Sequence, residues 1–341
     1  MTRLLQAMAG AKHGGAEAFF ERLAIALSRA GEDQTIVIRE DAERAARLRL
    51  GGIDPIELPF GGVFDFTTRS RLKHIIAQTR PRIVLTWMNR ATKFCSRGDF
   101  VHVARLGGYY DLRYYRHCDH LIGNTRALTE WIVAQGWPES RVHYLPNFAD
   151  AMMAQPLSRA SLATPECAPL ALALGRLHPN KGFDVLLKAV ARVKTLHLWF
   201  AGEGPLEAAL KQQAAALGIA DRVRFLGWRG DVPALLATCD TLVCPSRIEP
   251  LGNTIVEAWA AGKPVIAAAS SGPAELIEDG KNGLLVPIDD ADALAAAIEK
   301  LADDKSLAGA LAASGHAAYE AQFTEARVVA AYRDFFKKVA A

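Results

Sequence analysis

Residues 244–266 read C-P-S-R-I-E-P-L-G-N-T-I-V-E-A-W-A-A-G-K-P-V-I, and no other stretch constrains the fold as tightly. The apolar run 241–244 is short enough for a buried strand, and Pro245 ends it. A polar loop follows, and Gly252-Asn253-Thr254 opens an amphipathic helix over 253–261. A second apolar run, 265–268, begins just after Pro264. Strand, loop, helix and strand in this order make a βαβ unit of a parallel sheet. The unbonded N–H groups and positive dipole end of such a helix form a place for an anion. Glu249 lies in the loop before it, and Glu257 about one turn into the helix. A carboxylate is a good double acceptor for neighbouring sugar hydroxyls, so the pair suits a ligand with sugars on either side of phosphate. The E-x7-E spacing by itself fits a solvated helix face as well.

Working outward, the same grammar repeats. Strands are expected at 170–174, 196–201 and 223–226, besides 241–244 and 265–268, with a late element at 283–286. Helices are expected at 183–194, 206–217 and 231–237, and two or three more end the chain. Before residue 150 a first series shows strands at 3–8, 34–38, 56–58, 83–87, 100–106 and 120–123. A glycine loop, 10–15, leads from the first strand into a helix over 16–30. Helical stretches are expected before the strands at 83–87 and 120–123. Residues 148–168 lack periodicity and hold two prolines, which suits a linker. The expected organisation is therefore a domain over 1–150, a second over 168–317, and a terminal segment, 318–341. In that segment Val328, Val329, Tyr332, Phe335 and Phe336 give a helix an apolar face to pack on the first domain. Two open α/β domains in tandem place ligands at the carboxyl ends of their strands, in a cleft between them.

The 341 residues are 50% hydrophobic and 23% charged, ordinary for a globular enzyme of two domains. Residues 1–150 hold 21 Lys+Arg against 16 Asp+Glu, a net of +5, and the remainder holds 19 against 21, a net of −2. A basic first half suits an anionic membrane surface or substrate, and equally suits ordinary surface charge. The five cysteines form no C-x-x-C pair and no disulfide framework, which fits a reducing cytosol. No window approaches 18 uncharged apolar residues, so no bilayer-spanning segment is expected. The opening M-T-R-L-L-Q-A-M-A-G runs into the glycine loop and reads as a first strand rather than a leader.

The 244–266 segment resembles the P-S-x-x-E-x-x-G-x-x-x-x-E-A-x-A-x-G-x-P-V signature of family-four ("group one") retaining glycosyltransferases of the GT-B fold. Further pieces fall in the family's order: Gly175-Arg176 with Lys181-Gly182, Gly202-Glu203-Gly204-Pro205, the strand leading to Trp228, Asn124-Thr125 and Pro146-Asn147. The resemblance implies two Rossmann-like domains facing a central cleft. It implies transfer of a hexose-type sugar from a nucleoside diphosphate to a glycan or lipid-linked acceptor of the cell envelope. Arg176 and Lys181 would offset the charge of the diphosphate, more so as it departs. Glu249 would hold the donor sugar and Glu257 the ribose. Leu251, Gly252, Asn253 and Thr254 would present backbone to phosphate and sugar. Gly202 and Gly204 would let the chain approach the nucleotide, and Arg229 with Trp228 would lie beside the base, though a core tryptophan fits that position too.

In the first domain, Gly14-Gly15-Ala16-Glu17 resembles the family's G-G-x-E loop, and Gly15 would meet the pyrophosphate. Many members carry a histidine at the end of a first-domain strand. Here Leu106, Gly107 and Gly108 stand there instead, while His102, His117 and His120 read as structural. Tyr109, Tyr110, Asp111 and Arg113 occupy the neighbouring loop, and Tyr109, Asp111 and Asn124 are the candidates for the acceptor side. No metal and no cofactor are expected, on the reading that the chain shows no D-x-D motif and no His/Asp cluster of ligand type; Arg176 and Lys181 would serve instead. Contact with the cytoplasmic face of the inner membrane fits the basic first half. Alternatives from other classes are a sugar-nucleotide epimerase of the same fold and a non-catalytic sugar-nucleotide-binding partner. A dehydrogenase lacks its dinucleotide fingerprint, and nucleic-acid binding has no motif behind it.

Overall fold

The computed structural model describes residues 3–12, 14–62, 64–150 and 154–340. The chain divides into two compact units, residues 1–148 with 325–341, and residues 149–324.

The first unit carries a seven-stranded sheet in the order β3-β2-β1-β4-β5-β6-β7. Its strands are β1 Leu4–Met8, β2 Gln34–Arg39, β3 Ile56–Leu58, β4 Ile83–Trp87, β5 Val101–Leu106, β6 His120–Gly123 and β7 Val142–Tyr144. The second unit carries a six-stranded sheet in the order β10-β9-β8-β11-β12-β13. Here β8 is Leu170–Leu174, β9 His197–Ala201, β10 Val223–Phe225, β11 Thr241–Cys244, β12 Val265–Ala268 and β13 Leu284–Val286. Every strand pair is parallel; Leu4, for example, sits opposite Gln34 on one side and Ile83 on the other. Parallel strands covered on both faces are apolar throughout, and β1, β4, β8, β11 and β12 are buried along their whole length.

Short polar side chains set the helix starts. Asp41 accepts from the Arg44 N–H at 3.1 Å, Asp65 from Thr68 at 2.9 Å, Thr125 from Leu128 at 3.0 Å and Asp304 from Leu307 at 2.9 Å. Three helices of the first unit absent from the sequence reading, Ala42–Leu50, Met88–Phe94 and Arg126–Ala134, follow β2, β4 and β6. The stretch before β6, expected as a helix, is only a 3-10 turn, Leu112–Tyr115. Gly107 and Gly108 begin the connection, and the Asp111 carboxylate captures the Arg113 N–H at 3.0 Å, so the chain never settles into α geometry.

Of residues 148–168, expected as a linker, 151–153 lie outside the described residues, and the described remainder is packed. Phe148 belongs to the core of the first unit, while Ala149, Leu157 and Leu162 pack against the sheet of the second. Arg159 donates to the Ala168 and Thr238 carbonyls at 2.8 Å each, which ties this strap to the second unit. The final crossing comes at 324–325 rather than 318, because the helix Lys305–Gln322 belongs to the second unit. The helix Glu325–Ala340 buries Val328, Val329, Tyr332, Phe335 and Phe336 in the first unit's core. Arg105 of β5, 1% exposed, lies beneath it. Its Nε donates to the Tyr332 hydroxyl at 2.8 Å and its Nη2 to Asn147, and its guanidinium covers the rings of Phe19 and Trp87. A buried guanidinium needs such acceptors and ring faces in place of water.

Candidate functional site

In the second sheet the strand order turns around between β8 and β11, so the loops leaving those strands stand side by side at their carboxyl ends. The first is residues 175–182 and the second 245–252. Arg247 joins them. Its guanidinium forks onto both oxygens of Asp184 at 2.8 and 2.7 Å, donates to the Pro179 carbonyl at 2.8 Å, and reaches Asp289 with Nε at 2.6 Å. The hydrogen bond from Arg247 holds the Asp184 carboxyl below the usual carboxylate range. The Ile248 N–H donates to the Asn180 carbonyl at 3.1 Å. Gly182, at φ 63°, lies so close that a Cβ there would strike the Pro245 carbonyl oxygen. Arg247 and Asp184 were missed by the sequence reading. The only local signal was a charged residue next to each of two glycine- or proline-marked loops.

Lys181 and Glu249 meet across these loops. Lys181 Nζ is ion-paired with Glu249 Oε2, and Glu249 Oε1 accepts the Gly252 N–H at 3.2 Å. Both side chains are largely buried. Burial disfavours the lysine's charge, but Glu249 beside it outweighs that, and the Lys181 pKa ends above its ordinary value. Gly252, at φ 85°, precedes the helix Asn253–Ala260, whose second turn carries Glu257. Asn253, Thr254 and Glu257 are half-buried, and Leu251 is buried. The Glu249 carboxylate thus sits where a helix start and a lysine converge. Arg176 is exposed in the neighbouring loop and forms no hydrogen bond or ion pair with other described residues.

In the turn 202–205 the two glycines also meet neighbouring backbone. A Cβ on Gly202, at φ 148°, would strike the Gly175 carbonyl oxygen, and one on Gly204 would strike Leu177. The Leu177 N–H donates to the Glu203 carbonyl at 2.9 Å, and the Gly202 N–H to Gly227 at 2.7 Å. These two glycines let three strand-end loops lie backbone against backbone. Trp228 is 68% exposed, so it is no core residue; its N–H donates to Glu203 at 3.2 Å. Beside it Arg229 is held by both Asp231 oxygens at 2.7 and 2.6 Å.

In the first unit the strand order turns around between β1 and β4. Gly15 is exposed at the start of the helix Gly15–Arg29. Glu17 folds back from the first turn to accept the Ala11 N–H at 2.7 Å, and fills the space where side chains on Gly10 and Gly14 would be. Tyr110 is half-buried, and burial, together with the charge of Glu17, raises its hydroxyl pKa. Tyr109 meets Trp131 edge-on at 5.2 Å. Asp111 and Arg113 pair with each other at 2.6 Å. Asn124 is buried, and its Oδ1 has no hydrogen-bond partner among the described residues. Met88, after β4, adopts φ 57°, a left-handed conformation rare outside glycine. Contrary to the expectation of no D-x-D, the chain holds one, Asp290-Ala291-Asp292; it is a helix cap, in which Asp290 accepts from Asp292 and Ala293 at 3.1 and 2.8 Å.

Two family models match the chain, one described as Glycosyltransferase Family 4 over residues 13–152 and one as Glycosyl transferases group 1 over residues 168–304. The chain is 37% identical over 335 residues to the lipopolysaccharide core biosynthesis glycosyltransferase LpsE of Rhizobium meliloti, which covers 94% of this chain and 95% of the relative. The chain belongs to the group-one, family-four glycosyltransferases. LpsD of the same organism, also described as a lipopolysaccharide core biosynthesis glycosyltransferase, is 34% identical to this glycosyltransferase over 333 residues, 95% of each chain. Among solved structures, Anabaena Alr3699/HepE in complex with UDP superposes with a TM-score of 0.87 at 22% identity, over 99% of this glycosyltransferase and 100% of that chain. The lipopolysaccharide outer core galactosyltransferase WaaB superposes with a TM-score of 0.74 at 18% identity, over 99% and 100%. Both likenesses establish the GT-B fold of the glycosyltransferase. No helix among its described residues is long and apolar enough to cross a membrane.

Proposed function

We propose that this glycosyltransferase moves a hexose from a nucleoside-diphosphate sugar to a saccharide or glycolipid acceptor in lipopolysaccharide core assembly, with retention of configuration. The observation that carries the donor half is the meeting of Lys181 and Glu249 at the start of the helix Asn253–Ala260, beside the exposed Arg176. An ammonium, a guanidinium and a helix start suit a diphosphate, and a carboxylate among them suits sugar hydroxyls. Arg176 and Lys181 take the diphosphate, Glu249 the donor sugar and Glu257 the ribose. Trp228 offers the base a flat exposed face. The acceptor half rests on the names of the two relatives matched over nearly the full chain.

In the step itself the bond from the sugar's anomeric carbon to the diphosphate oxygen breaks, and a bond to the acceptor oxygen forms on the same face. The acceptor's proton passes to the departing phosphate oxygen. Charge grows on that oxygen, so the two cations stabilise the transition state more than the bound donor. This reading requires no metal and no cofactor. Glycolipid acceptors place the reaction at the cytoplasmic face of the inner membrane, where the net +5 of residues 1–150 favours anionic lipid.

A thermal-shift panel of UDP-, GDP- and ADP-sugars tests the donor. A ligand at 100 times its dissociation constant adds about 2.7 kcal/mol of stability, an easily seen shift. NMR of the product of the active donor then reads the anomeric configuration. No shift with any sugar nucleotide, or an inverted product, overturns the reading.

A further inference from the structure

His102, His117 and Cys118 gather on one side of the first sheet, where Cys118 borders the pocket that Asp111 also lines. One ring nitrogen of each histidine and the Cys118 sulfur lie within 4.8 Å of one another. His102 and Cys118 are buried and His117 is half-buried. The hydrogen bonds around the rings decide which nitrogens hold protons. The Thr92 hydroxyl donates to the Met88 carbonyl at 2.7 Å, a group that can only accept. The Thr86 hydroxyl then has Thr92 Oγ1 at 2.9 Å and the Val103 carbonyl at 3.4 Å as acceptors for its proton. Thr86 Oγ1, its own proton so placed, accepts from His102 Nε2 at 3.0 Å. His102 thus carries its proton on Nε2 and leaves Nδ1 unprotonated; Cys118 Sγ stands 3.8 Å from Nδ1 and 3.9 Å from Nε2, to the side of the Nδ1 lone pair. His117 Nε2 faces the Thr92 carbonyl at 3.3 Å, another group that only accepts, so its proton is also on Nε2 and its Nδ1 lone pair is available.

We propose that His102 Nδ1, His117 Nδ1 and Cys118 Sγ bind one zinc ion. Two imidazole nitrogens and one thiolate make a borderline-soft donor set, which matches zinc better than a hard cation. Ligands about 2.0–2.3 Å from a tetrahedral zinc stand roughly 3.5 Å apart; the 3.8 Å from His102 Nδ1 to Cys118 Sγ is near that separation, and a turn of the His102 ring is needed to aim the Nδ1 lone pair at the ion. The half-buried His117 ring supplies the remaining movement. The second ring nitrogens already donate to Thr86 and the Thr92 carbonyl, the arrangement that orients imidazole ligands in metal sites. The backbone is set as well: the Asp119 N–H donates to the His102 carbonyl at 2.7 Å, and the His102 N–H to the Asp119 carboxylate at 2.8 Å. Binding releases the Cys118 proton to solvent and leaves a fourth position for water. The ion would join β5 to the segment that enters β6 and so fix the loop carrying Tyr109 and Asp111.

The test uses the purified full chain and cobalt(II) as a spectroscopic stand-in for zinc. The expected result is one cobalt per chain, a thiolate-to-cobalt charge-transfer band, and loss of that band when one equivalent of zinc is added. Cys118→Ser and His117→Gln are each expected to weaken binding at least tenfold, and Cys118→Ser to abolish the band. Cys167→Ser, at the exposed cysteine, is expected to change neither. Circular dichroism of each variant establishes that it is folded. Absence of the band in the unsubstituted chain, or its survival in folded Cys118→Ser, overturns the proposal.

Discussion

The Glu249 carboxylate links Lys181, 68 residues away in sequence, to the Gly252 N–H at the start of the next helix. One oxygen takes the lysine and the other the helix, so a single side chain sets the charge and the shape of the candidate donor site. The cation there is held in place before any substrate arrives, which is the condition for stabilising a departing diphosphate without reorganisation.

Lys181→Ala is therefore expected to lower turnover by about 10²-fold, the usual loss when one preorganised charge-stabilising group is removed. Glu257→Ala is expected to weaken nucleoside-diphosphate binding by roughly tenfold or more, about the loss of one hydrogen bond to a charged group. Steady-state kinetics and calorimetric titration measure the two. Undiminished activity in both variants would remove these residues from the site.

Arg247 touches no proposed substrate group, yet it holds Asp184, Asp289 and the Pro179 carbonyl together. Arg247→Ala is expected to cost about 1.5–3 kcal/mol in urea unfolding, because it leaves partly buried partners unmatched. Asp184→Asn is expected to cost less, since the amide still offers one acceptor. Turnover is expected to fall in Arg247→Ala without a change in which sugar nucleotide is preferred; a switch of donor would show direct contact instead.

Gly202→Ala tests whether that glycine serves packing. A Cβ there meets the Gly175 carbonyl oxygen at a backbone angle of 148°. The expected cost is about 1–3 kcal/mol of stability, with donor binding reduced through the displaced Arg176 loop. Gly218→Ala, at positive φ with open space around it, serves as the control and is expected to cost less. Equal costs at the two positions would mean that backbone conformation alone matters.

His120 and His143 share a hydrogen bond of 3.0 Å against Phe335 of the terminal helix. Burial and the neighbouring His120 push His143 down to about 4, and burial also lowers His120. A folded-state pKa below the unfolded value means that the unfolded chain binds more protons between them. Stability is then highest above the unfolded value near 6.5 and falls as pH drops from there toward 4. His143→Gln is expected to flatten that part of the stability–pH curve, measured by thermal unfolding at each pH. A curve of unchanged slope would place the acid sensitivity elsewhere.

The sequence alone determined the alternation of strands and helices, the marks that end each strand, and the loops that carry Arg176, Lys181, Glu249 and Glu257. Those features follow from local rules: the periods of strand and helix, proline and glycine at turns, and the groups a helix start leaves unbonded. Only the tertiary structure decided that Lys181 pairs with Glu249, that Arg247 binds Asp184, and that Gly202 lies against the Gly175 backbone. It also showed residues 154–168 to be a packed strap, because the scattered Leu157, Leu162 and Arg159 find partners on an element distant in sequence. Partners 60 or more residues apart meet because β8 and β11 are neighbours in the sheet. Strand order is a global property, and no window of sequence contains it.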